Sequence, residues 1–300
     1  MAERTVGFIG LGNMGGRMTR RLVEAGIEVI GYDTRPGAAE EGGAVPAADP
    51  ADVAARTDVV LLSLPDSHVV EPVVRALLPS ARAGATVVDL STASPTSTQQ
   101  LHAEAAERSV QYIDAGISGG AAAAEKGTLT LMVGGEAQAI ESIRWVFEPF
   151  SNKVVHMGDS GAGHTAKLLN NFLNAVSLAA TAEVMVAGKK AGLDLHKLLD
   201  VFNSSSGVNF ATLNRFPYIV DGNYLEGGLT SKLMTKDILL YVDCARELGV
   251  ASLNASGPLA SFGLATALGY GEQISNRVVD AIGDVSGGVR LHSSQKEPAK

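Results

Sequence analysis

Short apolar runs alternate with helical periodicity along the first half of the chain, and only helical periodicity follows. Runs over residues 5–10, 28–32, 58–64, 86–89, 111–114, 129–134 and 153–156 read as strands. Between them, apolar positions three and four apart predict helices over 14–25, 49–55, 67–77, 94–106 and 136–150. Such alternation implies βαβ units, hence a mostly parallel, doubly wound sheet of the Rossmann type. Residues 59–64 and 86–88 are apolar at successive positions, as strands covered on both faces require. After Gly158-Asp159-Ser160-Gly161 the strand pattern stops. One long helix is predicted from 162 to about 191, then helices over 194–203, 209–216, 229–248, 258–268 and 275–282. The expected organisation is a Rossmann domain over 1–161, a long interdomain helix over 162–192 and an all-helical domain over 193–290. A polar tail over 291–300 is expected to fray.

Composition narrows the class of function. A chain that is 46% hydrophobic and rich in Ala and Gly suits helices packed closely on a parallel sheet. The net charge of −8, with no basic run, argues against a nucleic-acid partner. The single cysteine, Cys244, excludes an internal disulfide framework and fits a reducing compartment. The first residues show neither a signal peptide nor an Arg-rich transit segment. The most apolar stretch, 168–187, carries Asn170, Asn171, Asn174, Ser177, Thr181 and Glu183, too many polar groups for lipid. A cytoplasmic protein without a membrane partner is expected.

The first chemical motif is Gly10-Leu11-Gly12-Asn13-Met14-Gly15, directly after a strand and opening a helix. The first glycine allows a tight turn, the second lets backbone approach a pyrophosphate, and the third lets the helix pack on the strand. The helix N-terminus then offers amides to the phosphates. Asp33 ends the second strand, about 20 residues on, where an acid meets the adenosine ribose. A carboxylate there repels the 2′-phosphate of NADP and favours NAD. Arg35, beside Thr34, is either a partner for that phosphate or a solvated loop residue, which leaves NADP open.

A proton donor and acceptor is also needed, and Lys167 is the candidate. It falls early in the long helix, with Asn170, Asn171, Asn174, Ser177 and Thr181 following at spacings of three and four. A polar stripe on an otherwise apolar helix suggests the lining of a cleft. An amine partly desolvated there has its pKa lowered toward neutrality and can exchange a proton with a hydroxyl. The alternative is a lysine that reaches solvent from a helix end. Asp114-Ala115-Gly116-Ile117-Ser118-Gly119-Gly120 reads as a loop of small residues whose backbone amides form a nest for a carboxylate, or else an ordinary turn. In Asp89-Leu90-Ser91-Thr92-Ala93-Ser94-Pro95, Ser94 caps a helix, whereas Ser91 and Thr92 sit at the carboxyl end of a strand, where open α/β sheets bind ligands. His68, His102, His156, His164, His196 and His292 have no metal-ligand spacing, so no metal is expected.

Together these segments resemble the β-hydroxyacid dehydrogenases, the group containing 3-hydroxyisobutyrate dehydrogenase and tartronate semialdehyde reductase. The opening signature is Gly7 through Gly15, and Leu64-Pro65 with Asp89-Leu90-Ser91-Thr92 resemble the nicotinamide-side loops. Asp114 through Gly120 resembles the substrate-carboxylate loop, Gly161 through Asn171 the catalytic helix, and Lys236-Asp237 the C-terminal cofactor contact. The resemblance implies Lys167 as general acid/base and Asn171 as the residue that orients the substrate. It implies Ser118, Gly119 and Gly120 as holders of the substrate carboxylate, with Lys236 closing over nicotinamide and substrate. It further implies reversible NAD(P)-dependent hydride transfer on a small anionic 3-hydroxy acid or semialdehyde, in a homodimer or homotetramer. One departure is Gly116-Ile117, where many members have Pro-Val. Two other readings stay open. An imine reductase of the same architecture usually carries Asp or Tyr where Lys167 stands. A non-catalytic NAD(P)-binding protein leaves the Lys–Asn stripe unexplained.

Overall fold

A computed structural model describes residues 4–292; residues 293–300, most of the expected tail, lie outside the described part. Two compact units divide the chain, the first reaching Lys167 and the second beginning at Leu168.

The first unit is built on eight strands: β1 (Thr5–Ile9), β2 (Glu28–Tyr32), β3 (Val45–Pro46), β4 (Val59–Leu62), β5 (Thr86–Asp89), β6 (Gln111–Ser118), β7 (Leu129–Gly134) and β8 (Ser151–Gly158). They form one sheet in the order β3-β2-β1-β4-β5-β6-β7-β8. Pairing is parallel from β3 through β6, turns antiparallel between β6 and β7, and is parallel again between β7 and β8. The reversal follows from the short connection between β6 and β7, which holds only the helix Gly120–Lys126. A parallel return needs a crossover of about a dozen residues or more. Alternate residues of the central strands feed opposite faces. Val59, Leu61 and Val88 join one core, while Val60, Leu62 and Val87 join the other.

Several elements of this unit depart from the sequence pattern, the short helices Ala38–Glu41 and Gly120–Lys126 among them. The two-residue β3 is too short to show a period and was not expected. The segment expected to end at Asp114 continues as strand to Ser118, because β7 pairs with it from Asp114 to Ser118. The helix expected over 136–150 is two pieces, Ala137–Ser142 and Arg144–Phe147, with Ile143 leaving helical geometry between them.

The second unit is helical. It takes in the long helix Ala162–Lys190 from Leu168 onward, then Leu195–Asn203, Phe210–Asn214, Phe216–Ile219, Ser231–Glu247, Ser256–Ala265 and Val278–Val285. The single helix expected over 209–216 is divided at Arg215, because Pro217 cannot donate a backbone bond and instead opens the next helix. Phe172, Ala175, Leu178, Ala182 and Met185 recur at helical spacing and bury against Phe216, Ile238, Phe262 and Val278. Starts are capped from side chains: Asp194 accepts from the His196 and Lys197 amides, and Asn209 forms a reciprocal cap with Thr212. Among the described residues no helix is long and apolar enough to cross a membrane.

Candidate active site

The glycine turn shows three glycines required for three reasons. Gly10 has φ +89°, and a Cβ there would lie 2.3 Å from the Ser63 carbonyl oxygen. A Cβ on Gly15 would lie 1.8 Å from the Gly10 carbonyl oxygen, so the helix Gly15–Glu24 packs on β1 only without one. A Cβ on Gly12 would meet nothing within 4 Å. That open space, ahead of a helix whose N-cap Met14 makes no side-chain bond, fits a dinucleotide pyrophosphate. The Arg17 guanidinium donates to Asn13, fixing the turn from the solvent side.

Asp33 ties the turn to the end of β2. One carboxylate oxygen accepts the Leu11 amide at 2.6 Å and the other accepts the Arg35 amide at 2.8 Å, bridging Thr34. The Arg35 guanidinium turns away to grip Glu41 through two bonds of 2.7 and 2.8 Å. That hydrogen-bonded pair raises the Arg35 pKa and lowers that of Glu41. Of the two readings left open for Arg35, the structure adds this specific acidic partner.

The loops after β4 and β5 are joined to each other. The buried Ser91 hydroxyl accepts the Leu64 amide at 2.9 Å, ahead of Pro65, and the Ser67 hydroxyl accepts the Ser94 amide at 2.8 Å. Ser91, ahead of Thr92, is itself held through its amide by Asp89 Oδ1 at 3.0 Å. The buried Tyr112 hydroxyl donates to the other Asp89 oxygen. Burial and that carboxylate push the Tyr112 pKa well above its ordinary value, so it stays a donor.

Lys167 sits on a scaffold of buried polar groups that the sequence reading left without roles. Asp114, paired in register with Asp89 across β5 and β6, is fully buried. Its two oxygens accept the Gly161 and His164 amides, both at 2.7 Å, so it caps the long helix from 47 and 50 residues away. The His164 ring is fixed between the Thr98 hydroxyl at Nδ1, 2.7 Å, and the Asp89 carbonyl at Nε2, 3.2 Å. Both contacts are satisfied with Nε2–H donating and Nδ1 accepting. Lys167 follows one turn later and is only 9% exposed. Its Cβ lies where Gly116 has none, since a Cβ on Gly116 would come within 2.4 Å of it. The same strand ends at Ser118-Gly119-Gly120, where φ of +125° and +68° leaves successive backbone amides at the start of a helix without a side-chain cap.

In the helical unit, Asn171 donates to Asp237 Oδ2 at 2.6 Å. Asp237 is 2% exposed, so its carboxylate serves Asn171 from below, with the Lys236 ammonium 3.2 Å from its other oxygen. Asn171 and Asn174 face inward, whereas Asn170 is exposed. The polar stripe is therefore narrower than the sequence reading, because Asn170 falls about 100° around the helix from Asn171. A buried aspartate at the end of an apolar strand was the available signal for Asp89 and Asp114; Asp237 was expected only as a cofactor contact beside Lys236, and nothing in the sequence pointed to its hold on Asn171.

Two family models cover most of the chain. Residues 5–158 match the NAD binding domain of 6-phosphogluconate dehydrogenase. Residues 161–278 match the NAD-binding domain of NADP-dependent 3-hydroxyisobutyrate dehydrogenase. The chain is 33% identical over 280 residues to 2-(hydroxymethyl)glutarate dehydrogenase of Eubacterium barkeri, covering 91% of this chain and 93% of that one. It is 36% identical over 282 residues to the NAD-dependent L-serine dehydrogenase of Pseudomonas aeruginosa, covering 90% and 95%. Among solved structures, Mycobacterium tuberculosis 3-hydroxyisobutyrate dehydrogenase with L-serine superposes with a TM-score of 0.86 at 32% identity, covering 92% of this chain and 98% of that one.

Proposed function

The chain belongs to the β-hydroxyacid dehydrogenase family, and from that premise we propose that it oxidises a small 3-hydroxy acid at its hydroxyl carbon, reversibly, with Lys167 as general acid/base. Membership makes it an NAD(P)-dependent hydroxyacid dehydrogenase. The observation that carries the finer reading is Lys167, a helix lysine only 9% exposed, whose Cβ packs against Gly116 of the strand that leads into the Ser118-Gly119-Gly120 amides. The nicotinamide, when bound, supplies the hydride acceptor or donor at its C4. Lys167 takes the hydroxyl proton in oxidation and returns it in reduction. Asn171, steadied by Asp237, orients the hydroxyl, and the backbone of Ser118, Gly119 and Gly120 holds the substrate carboxylate. Lys236 contributes positive charge to the same anion. Gly10 through Gly15 hold the pyrophosphate.

Asp33, with Arg35 engaged by Glu41, supports NAD over NADP. The exposed Leu173 and Leu253, 67% and 82% accessible, support a homodimer or homotetramer joined through the helical unit, which light scattering would measure. A lone thiol supports residence in a reducing cytoplasm. Initial rates over a panel of 3-hydroxy acids with both cofactors test the function. Lys167→Ala is expected to cut turnover about a hundredfold or more while leaving NAD affinity in place. Near-normal turnover in that variant would remove Lys167 from the chemistry.

A further inference from the structure

Arg215 lies between the helices Phe210–Asn214 and Phe216–Ile219, with its guanidinium turned inward. One terminal nitrogen donates to Asn276 Oδ1 at 2.6 Å and the other to Asn174 Oδ1 at 3.0 Å. Asn276 is held in turn by the Tyr224 carbonyl at 2.8 Å. The Phe210 ring, itself exposed, lies 5.8 Å from the guanidinium carbon. Among the described residues no carboxylate comes within ion-pair distance, in contrast to Arg277 and Arg290 of the same unit, which pair with Asp280 and Asp284. Burial pushes the Arg215 pKa down to about 10, which still leaves it charged at neutral pH.

Two amide oxygens satisfy two of the five donors of an arginine. A bridge between helices through amide oxygens needs donors but no charge, and a glutamine would provide it. The charge is therefore in excess of what the fold uses, and a desolvated cation is costly unless an anion completes it. Asn174 stands three residues after Asn171, one turn along the same helix. Arg215 thus grips a residue one turn, about 5 Å of rise, beyond the residue assigned to orient the substrate hydroxyl.

We propose that Arg215 receives a second carboxylate of the substrate, so that the enzyme selects 3-hydroxy acids bearing an acidic arm at C2. This rests on the assignment of Asn171 to the substrate site. An extended arm of two methylenes ending in a carboxylate reaches about 5 Å, close to the pitch of one helical turn, and a planar guanidinium already held by two amides offers its remaining N–H groups to a carboxylate without reorganising.

The test compares three acids with the full-length protein and NAD: 2-(hydroxymethyl)pentanedioate, its distal carboxamide, which is equal in size and neutral, and 3-hydroxy-2-methylpropanoate. The diacid is expected to exceed its carboxamide in kcat/KM by about tenfold or more. Arg215→Gln should bring that ratio close to one by raising KM for the diacid. Asn174→Asp, which keeps the arginine and supplies an internal carboxylate, should collapse the same ratio even if the first variant folds poorly. Equal rates on diacid and carboxamide in the unaltered enzyme would overturn the assignment. So would an Arg215→Gln variant that slows both and keeps their ratio, since that is a merely structural effect. Turnover of the methyl acid without preference for the diacid removes Arg215 alone. Oxidation of none of the three removes the hydroxy-acid reading together with it.

Discussion

Gly116→Ala examines the support of Lys167 most directly. Gly116 lies within β6, paired with Met132 of β7 and two residues past Asp114, where the pairing with β5 ends, so the strand has limited freedom to retreat. The added Cβ would stand 2.4 Å from Lys167 Cβ and 3.1 Å from the Gly163 carbonyl oxygen. Carbon atoms prefer about 3.5 Å or more, so the helix must withdraw by about 1 Å at Lys167. The first turn of that helix is meanwhile anchored through Asp114, so the strain falls on the lysine-bearing turn. Overpacking of this kind costs about 1–3 kcal/mol, and a 1 Å misplacement of a reacting group costs about a hundredfold in rate. The expected result is a kcat about a hundredfold lower, a reduced Tm, and an NAD Kd close to that of the parent. Gly257→Ala, whose Cβ meets nothing within 4 Å, serves as the neutral control. A Gly116→Ala enzyme with parental kcat and Tm would refute the claim that close packing on β6 sets the lysine.

Two other outcomes follow from the same geometry. Asp114→Asn leaves one oxygen for two helix amides and should lower unfolding stability by about 1–3 kcal/mol in chemical denaturation, with kcat falling alongside; unchanged stability would show the cap to be redundant. Glu41→Gln releases Arg35 and should raise the NADP-to-NAD ratio of kcat/KM by about tenfold, whereas an unmoved ratio would assign the preference to Asp33 alone.

What could be read in advance was what depends on neighbours in sequence. The glycine turn is legible because a missing Cβ is a local steric matter, and the parallel sheet is legible because strands such as Val59–Leu62 are apolar at every position. The small-residue segment after Asp114 reads as a loop in the sequence, because only its pairing with β7 makes it a strand as far as Ser118. Asn170 and Asn171 looked equivalent in the sequence, and the packing of Leu168, Phe172 and Ala175 decides which of them turns inward. The roles of Asp114, Asp237 and Arg215 rest on partners 41 to 66 residues away, at spacings that no periodicity reports.

The anchoring of the long helix by Asp114 also bears on where the nucleotide-binding module can be cut. A fragment ending at Gly158 would keep all eight strands and still lose the Gly161 and His164 amides. Asp114 would then be a buried carboxyl group with neither of these donors, a costly defect in an otherwise intact sheet. The module is closed by the first turn of the helix that follows its last strand. A severed, autonomous half must therefore carry that turn, though not the lysine one turn further on, as part of its own foundation.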